Sequence, residues 1–142
     1  MKKTYKASLD SLEEIYSDIE NFCEENGVDD AAAYAVNLCV DEVFTNTVIY
    51  GYKNDASKSV EIEIISKNGE VKTVMRDTAP KFDPVKNAEK PDTSSPVESR
   101  DIGGLGIFFL QKNMDSVSYS NRKGINELVL VKKIPAQPKA AE

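Results

Sequence analysis

Apolar residues recur along the chain with two different periods, and the switches between them divide it into elements. At the N-terminus, "KKTYKAS" alternates apolar Tyr5 and Ala7 with polar neighbours, the two-residue period of a short strand. From Leu12 the period changes. Leu12, Ile15, Tyr16, Ile19, Phe22 and Cys23 recur at three- and four-residue intervals, as on one face of a helix. Asp10 or Ser11 is placed to cap it, Glu13 and Glu14 follow in its first turn, and Asn26-Gly27 is a stop signal. Asp29 or Asp30 caps a second helix that runs to about Ile49, with Gly51 at its end. Alternation returns in "SVEIEIISK" and "EVKTVMRD". They are separated by Asn68-Gly69, a dipeptide that readily takes up the paired positive φ angles of a tight hairpin.

From Thr78 to Ile102 the pattern is lost. This stretch holds Pro80, Pro84, Pro91 and Pro96 among many polar residues, and a loop of that length in a compact domain is usually functional or mobile. "GGLGIFFLQKNM" then reads as a glycine cluster opening an apolar helix. "DSVSYSNR" and "INELVLVKK" form a second hairpin around Lys123-Gly124, and "IPAQPKAAE" reads as a disordered tail. The order is β-α-α-β-β-loop-α-β-β. It predicts an α+β two-layer sandwich, a mixed, largely antiparallel sheet with its helices on one face. One domain over residues 1–134 and a tail over 135–142 account for the 142 residues.

Composition narrows the chemistry. The net charge of −6 disfavours a general nucleic-acid binder, which needs clustered Lys and Arg to neutralise phosphates. No apolar run approaches the roughly 18 residues of a membrane span, and "MKKTYKASLD" lacks the apolar core of a signal peptide. Cys23 and Cys39 lie in helical sequence without metal-ligand spacing. They read as buried free thiols in a reducing cytosol. The chain has no histidine, which excludes Ser-His-Asp and Cys-His catalysis, histidine-ligated zinc and a phosphohistidine on this chain.

Three constellations could carry chemistry, and each also has a plain structural reading. Glu42 and Asn46 stand four apart in the second helix, so both can reach one ligand. The carboxylate can take a proton and the amide oxygen can coordinate Mg²⁺. The alternative is an exposed polar stripe shared with Asp41 and Thr45. Gly103, Gly104 and Gly106 permit close backbone approach where free N–H groups attract phosphate. They follow a loop rather than a strand and lack a Gly-Lys-Ser/Thr run, so neither the Rossmann nor the Walker pattern fits, and an ordinary entry into a core helix stays open. Asp77 ends a strand, where it can accept a hydrogen bond from a ligand amine or simply start a turn.

Taken in order, "VDEVFTNTVIYGY", "RDTAPKFDP" and "IGGLGIFFLQKNMDSVSYSNRKGINELVLVKK" resemble the three boxes of a GHKL (histidine-kinase-like, Bergerat-fold) ATPase. The similarity runs from about residue 5 to 134 and is greatest to the single-domain branch that includes anti-sigma factor serine/threonine kinases. The resemblance implies ATP and Mg²⁺ as cofactors. It implies Glu42 as general base, Asn46 as the amide that holds Mg²⁺, and Asp77 as the acid that reads the adenine amine. Gly104 and Gly106, with Gly103 beside them, would line the phosphates. Residues 78–102 would form the ATP lid, with Arg100 near the terminal phosphate. It further implies a cytoplasmic homodimer that phosphorylates a STAS-type anti-sigma factor antagonist and also binds a sigma factor, with no direct nucleic-acid or membrane contact.

The chain departs from the family pattern at four places. Ala79 stands where the second box usually has its first glycine, Lys81 stands where it has its second, Val129 is read at the late-strand position where relatives carry a threonine near adenine, and Tyr50 replaces a frequent histidine. These departures imply reduced nucleotide affinity. They leave open a second reading, a nucleotide-sensing partner-switch module with weak or no kinase activity, and a third, an interaction domain that binds no nucleotide.

Overall fold

The structure is a computed structural model that describes residues 1–80 and 102–135, with the backbone alone over 102–107. Most of the loop read as a lid, Arg100 within it, and all but the first residues of the tail lie outside the described residues. The elements are β1 (Lys2–Lys6), a 3₁₀ turn (Leu9–Ser11), α1 (Leu12–Glu25) and α2 (Asp30–Asn46), which continues into a wider π-type turn (Thr47–Gly51). Then come β2 (Ser59–Lys67), β3 (Glu70–Asp77), α3 (Ile102–Asn113), β4 (Ser116–Arg122) and β5 (Ile125–Lys133).

The five strands lie in the order β1-β2-β3-β5-β4, and every neighbouring pair is antiparallel. The mixed sheet expected from the sequence is therefore wholly antiparallel among the described residues. The reason is topological. β4 runs in the direction of β3, as a strand-helix-strand crossover allows, but β5 inserts between them and no parallel ladder forms.

Alternation along the strands separates two faces. Val60, Ile62 and Ile64 of β2 are buried, as are Val71, Thr73 and Met75 of β3 and Leu128 and Leu130 of β5. These join Ile15, Ile19, Val36, Val40, Phe44 and Leu110 of the helices in one core, which puts the helices on a single face. The other face carries Glu61, Glu63, Arg76 and Glu127.

Local signals explain the element ends. The expected cap of the first helix is displaced: Ser8 caps the 3₁₀ turn by accepting from the Asp10 N–H (3.2 Å), whereas the Ser11 hydroxyl donates to the Lys6 carbonyl. Gly27 ends α1 at φ +66°, and Asp29 caps α2 by accepting from the Ala32 N–H at 3.4 Å. Both hairpins turn through paired positive φ, at Asn68-Gly69 (55° and 76°) and at Lys123-Gly124 (53° and 81°). The buried Asn37 amide donates to Glu20 at 2.9 Å and ties α2 to α1. Cys23 and Cys39 are buried free thiols, pushed up to about 11 and about 12 mainly by burial. Among the described residues no helix is long and apolar enough to cross a membrane.

Candidate nucleotide site

The last turns of α2 are anchored by Val40, Phe44 and Val48, all fully buried, which leaves Glu42 and Asn46 together on a half-buried flank. The two side chains touch: the Asn46 amide nitrogen donates to Glu42 Oε1 at 3.1 Å. A carboxylate only accepts, so the nitrogen of Asn46 must face Glu42 and its oxygen is turned to other partners. That oxygen takes no hydrogen bond among the described residues. Thr45 and Asp41 pair separately on the next stripe at 3.1 Å.

Beyond Asn46 the backbone widens. The Tyr52 N–H donates to the Thr47 carbonyl at 2.7 Å, a five-residue step in place of the usual four. Gly51 closes this turn, and what it provides is space: a methyl added there would stand 3.0 Å from the Ala79 Cβ. The Ala79 methyl therefore occupies room that Gly51 leaves. Tyr52, only 7% exposed, fastens the same two segments from the other side. Its hydroxyl accepts from the Thr78 N–H (2.8 Å) and donates to the Ser59 carbonyl (2.9 Å). Tyr50, the residue singled out in the sequence, is 56% exposed and makes no such tie.

These contacts seat Asp77, at the end of β3, beside the C-terminal end of α2. Its Oδ1 accepts from the Ala79 N–H (2.9 Å) and from the Asn126 side-chain amide (2.8 Å). Burial pushes the Asp77 carboxyl above its ordinary value, and the hydrogen bonds from Asn126 and Ala79 pull against that rise. Asn126 was not legible as a site residue. The register pairs it with Asp77, whereas Val129 pairs with Val74 on the opposite face of the sheet. The late-strand neighbour of Asp77 is thus Asn126 and not Val129. The pairing of β3 with β5 bridges residues far apart in sequence, so no local pattern could disclose it.

Gly103, Gly104 and Gly106 fall inside the start of α3, not ahead of it, and α3 packs on α2. The first four backbone N–H groups of a helix lack intrahelical acceptors, so this segment presents donors with little side chain around them. A cleft of about 410 Å³ lined by Glu20, Glu24, Asp29 and Asp30 lies at the other end of α2. It stands about 18 Å along the helix from Glu42 and its carboxylates would repel a polyphosphate.

The donors fit a metal that arrives with a ligand. Among the described residues no group of three or more acidic, cysteine or histidine side chains could cage a cation. One open amide oxygen suits Mg²⁺ whose remaining coordination comes from phosphates and water.

A family model described as a histidine kinase-like ATPase domain matches residues 5–132. The chain belongs to that family. Among relatives of this ATPase domain, an anti-sigma F factor of Geobacillus kaustophilus is 30% identical over 106 residues, which cover 74% of this chain and 71% of that protein. Solved structures of the same fold include the RsbU and RsbW domains of Rv1364c from Mycobacterium tuberculosis. That likeness has a TM-score of 0.66 at 14% identity and covers 94% of this chain but 31% of that one. A SiaB-SiaC complex from Pseudomonas aeruginosa gives a TM-score of 0.65 at 15% identity, covering 92% and 88%. The resemblance read in the sequence and the sandwich it implies are both borne out.

Proposed function

We propose that this histidine kinase-like domain, residues 1–134, binds ATP with Mg²⁺ and transfers phosphate to a serine or threonine of a STAS-type anti-sigma factor antagonist. The observation that carries the reading is the Glu42–Asn46 pair, hydrogen-bonded in the last turns of a helix whose continuation at Gly51 lies against Ala79, two residues past Asp77. In this reading the free oxygen of Asp77 accepts from the adenine amine. The first-turn N–H groups of α3 at Gly103 and Gly104 take phosphate oxygens, and Gly106, one residue past the free donors, lets the phosphates approach the backbone. Asn46 Oδ1 would hold Mg²⁺, which would supply positive charge to offset that of the phosphates. Glu42 receives the proton of the acceptor hydroxyl as its oxygen bonds to the terminal phosphorus and the bond to ADP breaks. The names of the anti-sigma F relatives support a sigma factor as second partner, and the SiaB-SiaC complex supports a protein as binding partner. The same reading makes the protein a cytoplasmic homodimer.

Incubation with labelled ATP, Mg²⁺ and a STAS protein encoded nearby tests it. Label should pass to a serine or threonine, and Glu42→Ala should slow transfer by about 100-fold or more. No transfer by the wild type, or undiminished transfer by the variant, sinks the kinase reading. A second reading, a nucleotide-sensing switch without transfer, is favoured by Ala79 in the second box. ATP-dependent partner binding with no labelled product would decide for it.

A further inference from the structure

Asn126 is 7% exposed, yet its amide makes all four hydrogen bonds open to it. The nitrogen donates to Asp77 Oδ1 at 2.8 Å and to the Ala79 carbonyl at 2.9 Å. The oxygen accepts from the Tyr119 hydroxyl and from the Asn121 amide, the latter at 2.9 Å. The orientation has no freedom. A carbonyl and a carboxylate can only accept, so the nitrogen must face β3 and the oxygen must face Tyr119 and Asn121. Asp77 is fixed in turn. Both of its hydrogen bonds land on Oδ1, and Oδ2 accepts none among the described residues.

We propose that Asn126 is the positioning residue for base selectivity: it locks the Asp77 carboxylate with one oxygen engaged and the other turned to the exocyclic amine of an amino-purine. This deepens the nucleotide-binding reading and rests on it. An amine at the purine 6-position meets a held acceptor. A keto oxygen at the same position meets the same acceptor and is repelled. Without Asn126 the carboxylate is free to turn, and the advantage of the amine shrinks. The Ala79 carbonyl also loses a partner, so the segment after Asp77 loosens at the same time. A hydroxyl in place of the amide carries one donor and could satisfy Asp77 or Ala79, not both.

Calorimetric titration of the full chain with ATP and with ITP, both with Mg²⁺, measures the selectivity. The wild type should favour ATP by about tenfold or more. Asn126→Leu should lower ATP affinity by about tenfold and change ITP affinity by less than about threefold, so that the ratio collapses. Asn126→Thr should retain part of the ratio. Tyr119→Phe, which keeps the ring and removes one donor to the Asn126 oxygen, gives a smaller loss and serves if Asn126→Leu does not fold. Wild type that binds neither nucleotide overturns the nucleotide reading and this inference with it. Wild type that prefers ATP, with the same ratio in the Asn126 and Tyr119 variants, overturns this inference alone.

Discussion

Arg76 and Asp77 are neighbours on β3, point to opposite faces of the sheet, and sit in polar networks of opposite design. Arg76 is met by three carboxylates: Nε donates to Glu127 at 2.8 Å, and Nη1 donates to Glu61 at 2.6 Å and Glu63 at 3.1 Å. Hydrogen bonding to Glu127 leads the causes that hold the guanidinium more firmly protonated than usual. This network ties β2, β3 and β5 together. Asp77 is held just as firmly, but through one oxygen only. A network in which the charge is shared among three partners staples strands. One that fixes a carboxylate and leaves half of it unengaged is built to meet something else. On the proposed nucleotide reading, adjacent residues divide structural and ligand-facing work because the pleat turns them to different faces.

The strongest way to break the comparison is Asp77→Asn. The amide oxygen can still accept from Ala79 and Asn126, so folding should be kept, whereas ATP affinity should fall by about 100-fold. The pH dependence has a definite sign. The folded carboxyl titrates above its ordinary 3.8, so ATP binding by the wild type should weaken on acidification at a pH above that value. Because the folded value is raised, ionised Asp77 costs stability. That cost is absent below the unfolded value and appears as pH rises through the folded one. Titrations with ATP and thermal melts from acid to neutral pH check both, and Asp77→Asn should flatten both profiles.

Of intermediate size is the packing that seats Asp77. Gly51→Ala places a methyl 3.0 Å from the Ala79 Cβ and should cost about 1–2 kcal/mol in denaturant unfolding. Ala79→Gly in the same chain should restore most of that loss, which a double-mutant cycle reads directly. Additive effects would show that the two residues do not share the space. The smallest effect belongs to the outer face. Arg76→Met leaves Glu63 and Glu127 unpaired and Glu61 with Lys2 alone, at 3.9 Å, and should cost about 1 kcal/mol, less in high salt, with ATP affinity unchanged. A loss of affinity there would erase the division between the two faces.

Much of the fold was legible because its signals are local. Asn68-Gly69 and Lys123-Gly124 announce their hairpins through residues that take positive φ, Gly27 ends α1 in the same way, and Asp29 marks the start of α2 by capping it with its side chain. Alternation in "SVEIEIISK" marked the strand β2, in which Val60, Ile62 and Ile64 are buried. Glu42, Asn46 and Asp77 were legible as a candidate site only in combination, since each alone has an ordinary structural use. What escaped is non-local. Asn126 takes its place from a ladder between strands about 50 residues apart, and Tyr52 from a hydroxyl that reaches across to Thr78. Tyr16 fits the helical apolar spacing yet is 57% exposed, because the core side of α1 is filled by Ile15, Ile19 and Cys23.

The wide turn at Thr47–Gly51 acts as a change of phase. In an α-helix each residue advances the side-chain direction by about 100°. A turn that spends one residue more than its share delays everything after it by about that angle. Glu42 and Asn46 lie before the delay and Tyr52 lies after it. The same stretch of chain can therefore aim an acid and an amide toward one side and a tyrosine hydroxyl toward the sheet. Shortening this stretch by a single residue would keep Glu42, Asn46 and Tyr52, yet it would swing the hydroxyl away from Thr78 and set the two halves of the candidate site out of step.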